Sequence, residues 1–465
     1  MIDINMKQLE LRLMQGIESI GPTEKHKLIS ITKQIEKNNP LHVFEGAKIL
    51  NKDRFFWMNA NRTLTFTGVG KVRTLETKKD RFLQTEAQWK RLLKEAYIDN
   101  PYSDIPGTGI VAFGGMSFDP LKETTELWEK FKPSQFYIPE LMLIEYEEKH
   151  YLTWNILGQK TDDIEKLADH LQAISKSFLT DERLITQELA IEKEIEIDPV
   201  KWKKSVVKAT EEITAEKAEK IVLAREVRLQ FNQSVNIATV LQKLMHTQQN
   251  SYIFAFESEG DCFISATPER LVKVENNKLL STCLAGTAPR GKTKAEDKKI
   301  GHDLLSDEKN RQEHEFVVKM IKQAILKSCI DVEIPKEPVL YPLKNLQHLY
   351  TPVTATLKAG YTIFDVVAEL HPTPALGGTP TVESLAFIRE AELLDRGWYG
   401  APVGWVDSNN NGEFAVAIRS ALIQDNAASL FAGCGVVADS DPEMEYEETN
   451  VKLLPMLHVL GGHTE

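Results

Sequence analysis

Residues 413–460 read EFAVAIRSALIQDNAASLFAGCGVVADSDPEMEYEETNVKLLPMLHVL. Two apolar runs, 413–423 and 429–437, have the length and composition of strands, and the stretch from Pro442 to residue 460 reads as a closing helix with proline at its first position. Upstream lies a further short strand at 404–406, and residues 307–328 carry Phe316, Met320, Ile321 and Ile325 at helical spacing. Residues 252–274 predict strands broken at Glu259-Gly260, and 221–229 another strand, preceded by a charged helix that begins at Pro199. The acidic stretch 188–198 reads as a connection. Before it, Ile164, Leu167, Ala168, Leu171 and Ile174 predict a helix within 161–178. In the first third, 41–50, 55–58, 64–69, 109–113, 136–144 and 151–157 are short apolar segments bounded by Gly, Pro or Asn, and are read as strands. Strands and helices come in runs rather than in strict alternation, which predicts an α+β fold rather than a doubly wound parallel sheet.

The chain has 465 residues, 42% of them hydrophobic, enough for one large core or for two to three domains. A formal charge of -12 argues against a general nucleic-acid or anionic-membrane surface. The four cysteines, Cys262, Cys283, Cys329 and Cys434, show neither a CxxC pair nor zinc-like spacing, so a reducing compartment is expected. Residues 1–16 mix charged with apolar side chains and hold no signal-peptide core or spanning run, which predicts a cytoplasmic protein. There is no internal repeat and no low-complexity tract.

The densest polar constellation follows Asp439. On a helix starting near Pro442, Glu445 and Glu448 share a face and Lys452 lies four residues beyond Glu448. A solvated helix with acidic residues at its positive end accounts for this as well as a ligand site does. A second acidic set, Glu308, Glu313 and Glu315, sits on the helix after Ser306; two such helices together could hold Mg²⁺, which takes a few carboxylates and keeps waters for a substrate oxygen. The Gly-rich stretches 284–291, 374–380 and 433–435 let backbone N–H groups approach a ligand, or are simply tight turns; none is a nucleotide-binding loop. Lys220, placed at the end of a charged helix, is either a solvated helix terminus or, desolvated in a pocket, a general base. Glu269 is a turn residue or an acid, and Arg419, ending an apolar run, asks for a carboxylate partner or a structural one.

Eight ordered segments within 203–460 resemble the chorismate-utilising family, which includes isochorismate, salicylate, anthranilate and aminodeoxychorismate synthases. They are 220–225 (KIVLAR), 265–271 (SATPERL), 284–291 (LAGTAPRG), 309–318 (KNRQEHEFVV), 371–378 (HPTPALGG), 399–405 (YGAPVGW), 417–420 (AIRS) and 433–452 (GCGVVADSDPEMEYEETNVK). The resemblance implies large stacked antiparallel β-sheets flanked by helices, with residues 1–200 completing the sheets and 201–465 binding chorismate. It implies a Mg²⁺ site with Glu313 and Glu448 at the metal and Glu445 outside them. Arg419, Lys452 and the backbone around Gly286, Thr287, Gly433 and Gly435 match substrate-carboxylate contacts, while His371 and Tyr399 match pocket residues. Two departures stand out: Asn310 replaces the usual acidic residue three before Glu313, and Gly400-Ala-Pro replaces Ala-Gly-Pro.

Two positions choose among the family's reactions. Lys220 stands where the water-using members carry lysine and the ammonia-using ones glutamine. Ala285 stands where aminodeoxychorismate synthases carry a covalent lysine. The resemblance therefore implies isochorismate synthase, with Lys220 activating water at C2 of chorismate and protonated Glu269 assisting loss of the C4 hydroxyl. The spelling of the motifs is similar to that of the menaquinone-pathway enzymes. Salicylate synthase, a siderophore-pathway isochorismate synthase and a non-catalytic chorismate-binding protein are the alternatives. The expected partner is the small molecule chorismate, with neither nucleic acid nor membrane; the sequence leaves the oligomeric state open.

Overall fold

Along Arg54–Met58, Phe55 and Trp57 face one way and Phe56 and Met58 the other; along Tyr252–Ser258, Tyr252, Phe254 and Phe256 alternate with Ile253 and Ala255. Strands apolar on both faces need a layer on each side. In the computed structural model, which describes residues 6–180, 184, 187–342 and 346–462, one side is a second sheet and the other is helical.

The larger sheet has twelve strands in the order Ile191–Glu196, Ile221–Phe231, Ala427–Val436, Ser420–Gln424, Asp261–Thr267, Tyr252–Ser258, Arg54–Met58, Leu64–Val69, Leu141–Tyr146, Lys149–Gly158, Lys27–Ile35 and Tyr97–Asp99. The ten-stranded sheet runs Cys329–Glu333, Leu346–Leu357, Lys278–Pro289, Arg270–Glu275, Gly412–Val416, Pro402–Asp407, Val111–Met116, Ser134–Ile138 and Arg73–Thr77, with Val339–Pro342 also on Leu346–Leu357. Among the described residues every ladder is antiparallel except that between Lys27–Ile35 and Tyr97–Asp99. Strands from the first third stand beside strands from the last: Arg54–Met58 pairs with Tyr252–Ser258, and Val111–Met116 with Pro402–Asp407. Helices Arg81–Glu95, Glu308–Ile325 and Ile363–Leu370 cover the outer face of the smaller sheet. Pro40–Gly46, Ile237–Thr247 and Pro442–Val459 cover part of the larger one, and Met6–Glu18, Ile164–Phe178 and Pro199–Thr214 further parts.

The structure departs from the sequence reading at six places, one of them a second break of 252–274 at Pro268-Glu269, which carries the chain from one sheet to the other. Residues 41–50 form the helix Pro40–Gly46 and a 3₁₀ turn: Asn39 accepts from the N–H groups of Leu41 and His42, and Pro40 sits at the first position. The acidic 188–198 contains an edge strand, Ile191–Glu196, whose charges face outward. Residues 136–144 split into Ser134–Ile138 and Leu141–Tyr146, which lie in different sheets. Residues 413–423 split likewise, into Gly412–Val416 and Ser420–Gln424. The helix Pro199–Thr214 ends before Lys220, which leads into Ile221–Phe231 through an isolated bridge to Thr379.

The split in 413–423 positions the site. Gly412–Val416 of the ten-stranded sheet passes through residues 417–419 into Ser420–Gln424 of the other, while Asp261–Thr267 crosses in the opposite direction through Pro268 and Glu269 into Arg270–Glu275. The crossings are stitched together, Ala266 N–H donating to the Arg419 carbonyl at 3.1 Å and Val416 N–H to the Glu269 carbonyl at 3.0 Å. Arg419 has φ +50°, a left-handed conformation unusual for a residue with a side chain.

Candidate active site

The seam between the crossings places Glu269 and Arg419 side by side, and Lys452 reaches the same space from the helix Pro442–Val459. That helix starts where it does because Asp441 accepts from Glu443 and Met444 N–H and Pro442 follows it. Burial raises the Glu269 carboxyl to about 7, although the Arg419 and Lys452 cations pull it back. Glu269 therefore keeps its proton into the neutral range. Arg419 is itself pushed down by burial, and its guanidinium reaches the Lys452 carbonyl at 3.4 Å.

Across the seam, His348 on Leu346–Leu357 is held at about 4 by burial and by Arg419 and Lys452, which makes it a neutral imidazole at working pH. Its Nδ1 lies 2.9 Å from the Thr287 hydroxyl. Thr287 follows Gly286, whose φ of +78° a side chain would strain. The Thr287 N–H donates to the Asn310 side chain at 3.3 Å, and Asn310 in turn donates to Asp307, the cap of Glu308–Ile325. The departure at 310 thus supplies a neutral brace between the Gly286-Thr287 turn and the helix that carries Glu313.

Lys220 meets that helix from the other side, its ammonium 3.2 Å from Glu313. Its stem runs over Gly435, where a Cβ would stand 2.5 Å from Lys220 Cε. Only glycine leaves that path open. At Gly433 the space is shared by the Tyr399 hydroxyl, and the Gly433 carbonyl accepts from Lys452 at 2.8 Å. Tyr399 is buried, with its ring stacked on Phe431 at 5.4 Å. Lys452 is also 2.5 Å from Glu448, and Glu445 accepts from Ser440 at 2.7 Å.

The structure thus brings together Lys220, Glu269, Gly286, Thr287, Glu313, Tyr399, Arg419, Gly433, Gly435, Glu445, Glu448 and Lys452. His371 stands apart from them in its contacts: its Nε2–H donates to the Phe118 carbonyl at 3.0 Å, its ring packs on Phe82 and Phe118, and burial beside Arg81 lowers it to about 3. Sequence reasoning missed His348 and gave no role to His314, whose ring bridges the Ala285 carbonyl and the Thr351 hydroxyl and so ties the Glu313 helix to the Gly286-Thr287 turn. His348 lies between Gln347 and Leu349 in QHLYTPV, where nothing but its alternation along a strand marks it.

Among the described residues no three His, Cys, Asp or Glu side chains converge as a metal cage. Glu313 and Glu448 are nonetheless hard oxygen donors on two helices, each facing a lysine, and a magnesium ion takes one or two carboxylates together with water and substrate oxygens. The donor set fits.

A model of the chorismate binding enzyme family matches residues 15–461. The chain belongs to that family. The match takes in residues 15–219, ahead of the first of the motifs at 220–225. Within the family, isochorismate synthase MenF of Bacillus subtilis is 43% identical over 441 residues, 94% of this chain and 94% of that one. The salicylate biosynthesis isochorismate synthase of Pseudomonas aeruginosa is 32% identical, over 94% of this chain and 92% of its own. The fold is that of the solved menaquinone-specific isochorismate synthase MenF from Escherichia coli, with a TM-score of 0.80 at 22% identity over 98% and 99% of the two chains. Anthranilate synthase component I from Streptococcus pneumoniae shares it more loosely, with a TM-score of 0.63 at 21% identity over 87% and 92%. No described helix is long and apolar enough to cross a membrane.

Proposed function

We propose that the chain is an isochorismate synthase, an isomerase that adds water at C2 of chorismate and releases the C4 hydroxyl, with a place in menaquinone biosynthesis. The observation that carries this reading is Glu269, a carboxyl kept protonated to about pH 7 beside Arg419 and Lys452, of which Lys452 donates to the Gly433 carbonyl two residues from the Gly435 over which the Lys220 stem runs. Glu269 gives its proton to the departing hydroxyl while Lys220 takes one from the attacking water; one water is consumed and one formed, so the product has the mass of the substrate. To act as a base Lys220 has to part from Glu313. Arg419 and Lys452 bind carboxylate oxygens of the substrate, with Thr287 and the glycine backbone at 433–435 beside them. Glu313 and Glu448 would hold Mg²⁺ with Glu445 behind them, and the ion when bound neutralises charge on the substrate carboxylate. Four free, buried cysteines suit a reducing, cytoplasmic setting.

The test is to incubate the purified protein with chorismate and Mg²⁺, with and without EDTA, and to separate products by chromatography with mass detection. The reading expects an EDTA-sensitive product of unchanged mass distinct from chorismate. Salicylate with pyruvate would reassign the chain as a salicylate synthase, and binding without conversion would make it a chorismate-binding protein.

A further inference from the structure

Lys220 owes its position to a sheet edge with an unusual partner. Ile221–Phe231 is laddered along its length to Ala427–Val436, but on its other side Ile191–Glu196 covers only residues 227–231. Along 220–226 no strand among the described residues lies on that side, and the buried backbone groups there still need partners. Lys220 exchanges N–H and C=O with Thr379, at 3.1 and 2.8 Å. The Val222 carbonyl accepts from Arg396 Nη2 at 2.8 Å, and the Ala224 N–H donates to Glu392 Oε2 at 2.7 Å. The Ala224 carbonyl accepts from the Trp202 indole at 3.0 Å, and the Glu226 carbonyl from Ile197 N–H at 3.2 Å. Where a strand is missing, side chains take its place.

Glu392 and Arg396 are the centre of that substitute. They pair through two contacts, Nε to Oε1 at 2.7 Å and Nη2 to Oε2 at 2.6 Å, with only 1% and 4% of their side chains exposed. Arg396 Nη1 also donates to the Leu376 carbonyl at 2.9 Å, its guanidinium lies 4.2 Å over the Phe118 ring, and its own carbonyl accepts from Tyr399 N–H at 2.8 Å. One ion pair thus fastens the strand that begins at Lys220, the turn that ends at Thr379, and the segment bearing Tyr399. A buried ion pair is often no more stabilising than an apolar pair of the same size, whereas its directional bonds fix geometry.

We propose that Glu392 and Arg396 are positioning residues that replace a missing strand and set where Lys220 stands in the pocket. This rests on the reading of Lys220 as the base, and a misplacement near 1 Å can lower a rate by about 10². Arg54–Glu257 is the control: it is likewise a buried pair with two contacts, and Arg54 also donates to a backbone carbonyl, that of Phe44. The variants Arg396→Lys, Glu392→Gln and Arg54→Lys of the full chain are compared for Tm, for kcat and KM with chorismate, and for amide hydrogen exchange of residues 219–226.

Arg396→Lys is expected to lower kcat by about tenfold or more with KM nearly constant, and to speed exchange across 219–226. Glu392→Gln keeps an acceptor for Ala224 and is expected to show the same changes more weakly. Arg54→Lys should lose comparable Tm and move neither quantity. Unchanged exchange in a folded Arg396→Lys protein, kcat within about twofold of wild type, or the same changes in Arg54→Lys would overturn the proposal. If Arg396→Lys does not fold, Glu392→Gln is judged by the same criteria. A wild-type chain that leaves chorismate unconverted defeats the functional reading alone, because exchange at 219–226 still decides whether the pair holds the segment.

Discussion

The two sheets meet in two ways. Between them, Phe55 stacks on Phe113 at 4.9 Å and Trp57 meets Phe113 edge-on at 5.9 Å, and every one of these rings is sealed from water. Where the same sheets exchange strands, the buried carboxyl of Glu269 and guanidinium of Arg419 lie near the Lys452 ammonium and the His348 imidazole. Burial acts oppositely in the two regions. It stabilises the aromatic layer in proportion to the apolar area removed from water. At the seam it disfavours charge, lifting Glu269 to about 7 and dropping His348 to about 4. One region turns burial into stability and the other into reactivity.

Substitutions should separate the two. Lys220→Ala is expected to lower kcat by about 10² to 10⁴ while Tm stays near wild type, since 28% of that side chain is exposed and no core contact is lost. Turnover near wild type would take Lys220 out of the chemistry. Trp57→Ala and Phe113→Ala should do the reverse, each lowering stability by about 3 to 5 kcal/mol in denaturant titrations while kcat per folded molecule holds. A variant of the aromatic layer with normal stability and reduced kcat would show that the layer and the seam are not energetically separate.

How far the sequence could be read follows the same division. The α+β class was legible because apolar runs and helical periods are local signals, and the family emerged from motifs fixed in order. That 413–423 is two strands of different sheets was not legible: in EFAVAIRSALI the polar pair Arg419-Ser420 interrupts the apolar run without a Gly or Pro to mark a turn, and the break lies in the backbone at Arg419, with φ +50°. Glu269 and Arg419 were visible as chemical candidates, but their juxtaposition depends on two crossings about 150 positions apart. His348 was invisible because its role comes from strand alternation and from neighbours on other elements. The helix at Pro40–Gly46 was misread because its residues are buried on several sides, which erases the period, while the decisive signal was the Asn39-Pro40 cap. The turn from helix to strand before Lys220 was missed for want of a nearby proline or periodic break, the bridge to Thr379 being a long-range contact.

The smallest effect is also the sharpest probe of the difference between the regions. Glu269→Gln replaces the acid with a group of like shape that cannot ionise, so kcat should fall severely. Its effect on stability has the opposite sign. A carboxyl raised from 4.5 to about 7 on folding contributes fully below the ordinary carboxyl range, and that contribution is lost as pH rises toward 7. Wild type and variant should therefore unfold alike at pH 4, and the variant should become the more stable as pH increases, levelling off above pH 7 at no more than about 3 kcal/mol. Denaturant midpoints measured from pH 4 to pH 9 follow this directly. A difference that stays flat across that range would mean that Glu269 ionises as freely in the folded chain as in the unfolded one, and the seam would then lack the low-dielectric character on which its acid depends.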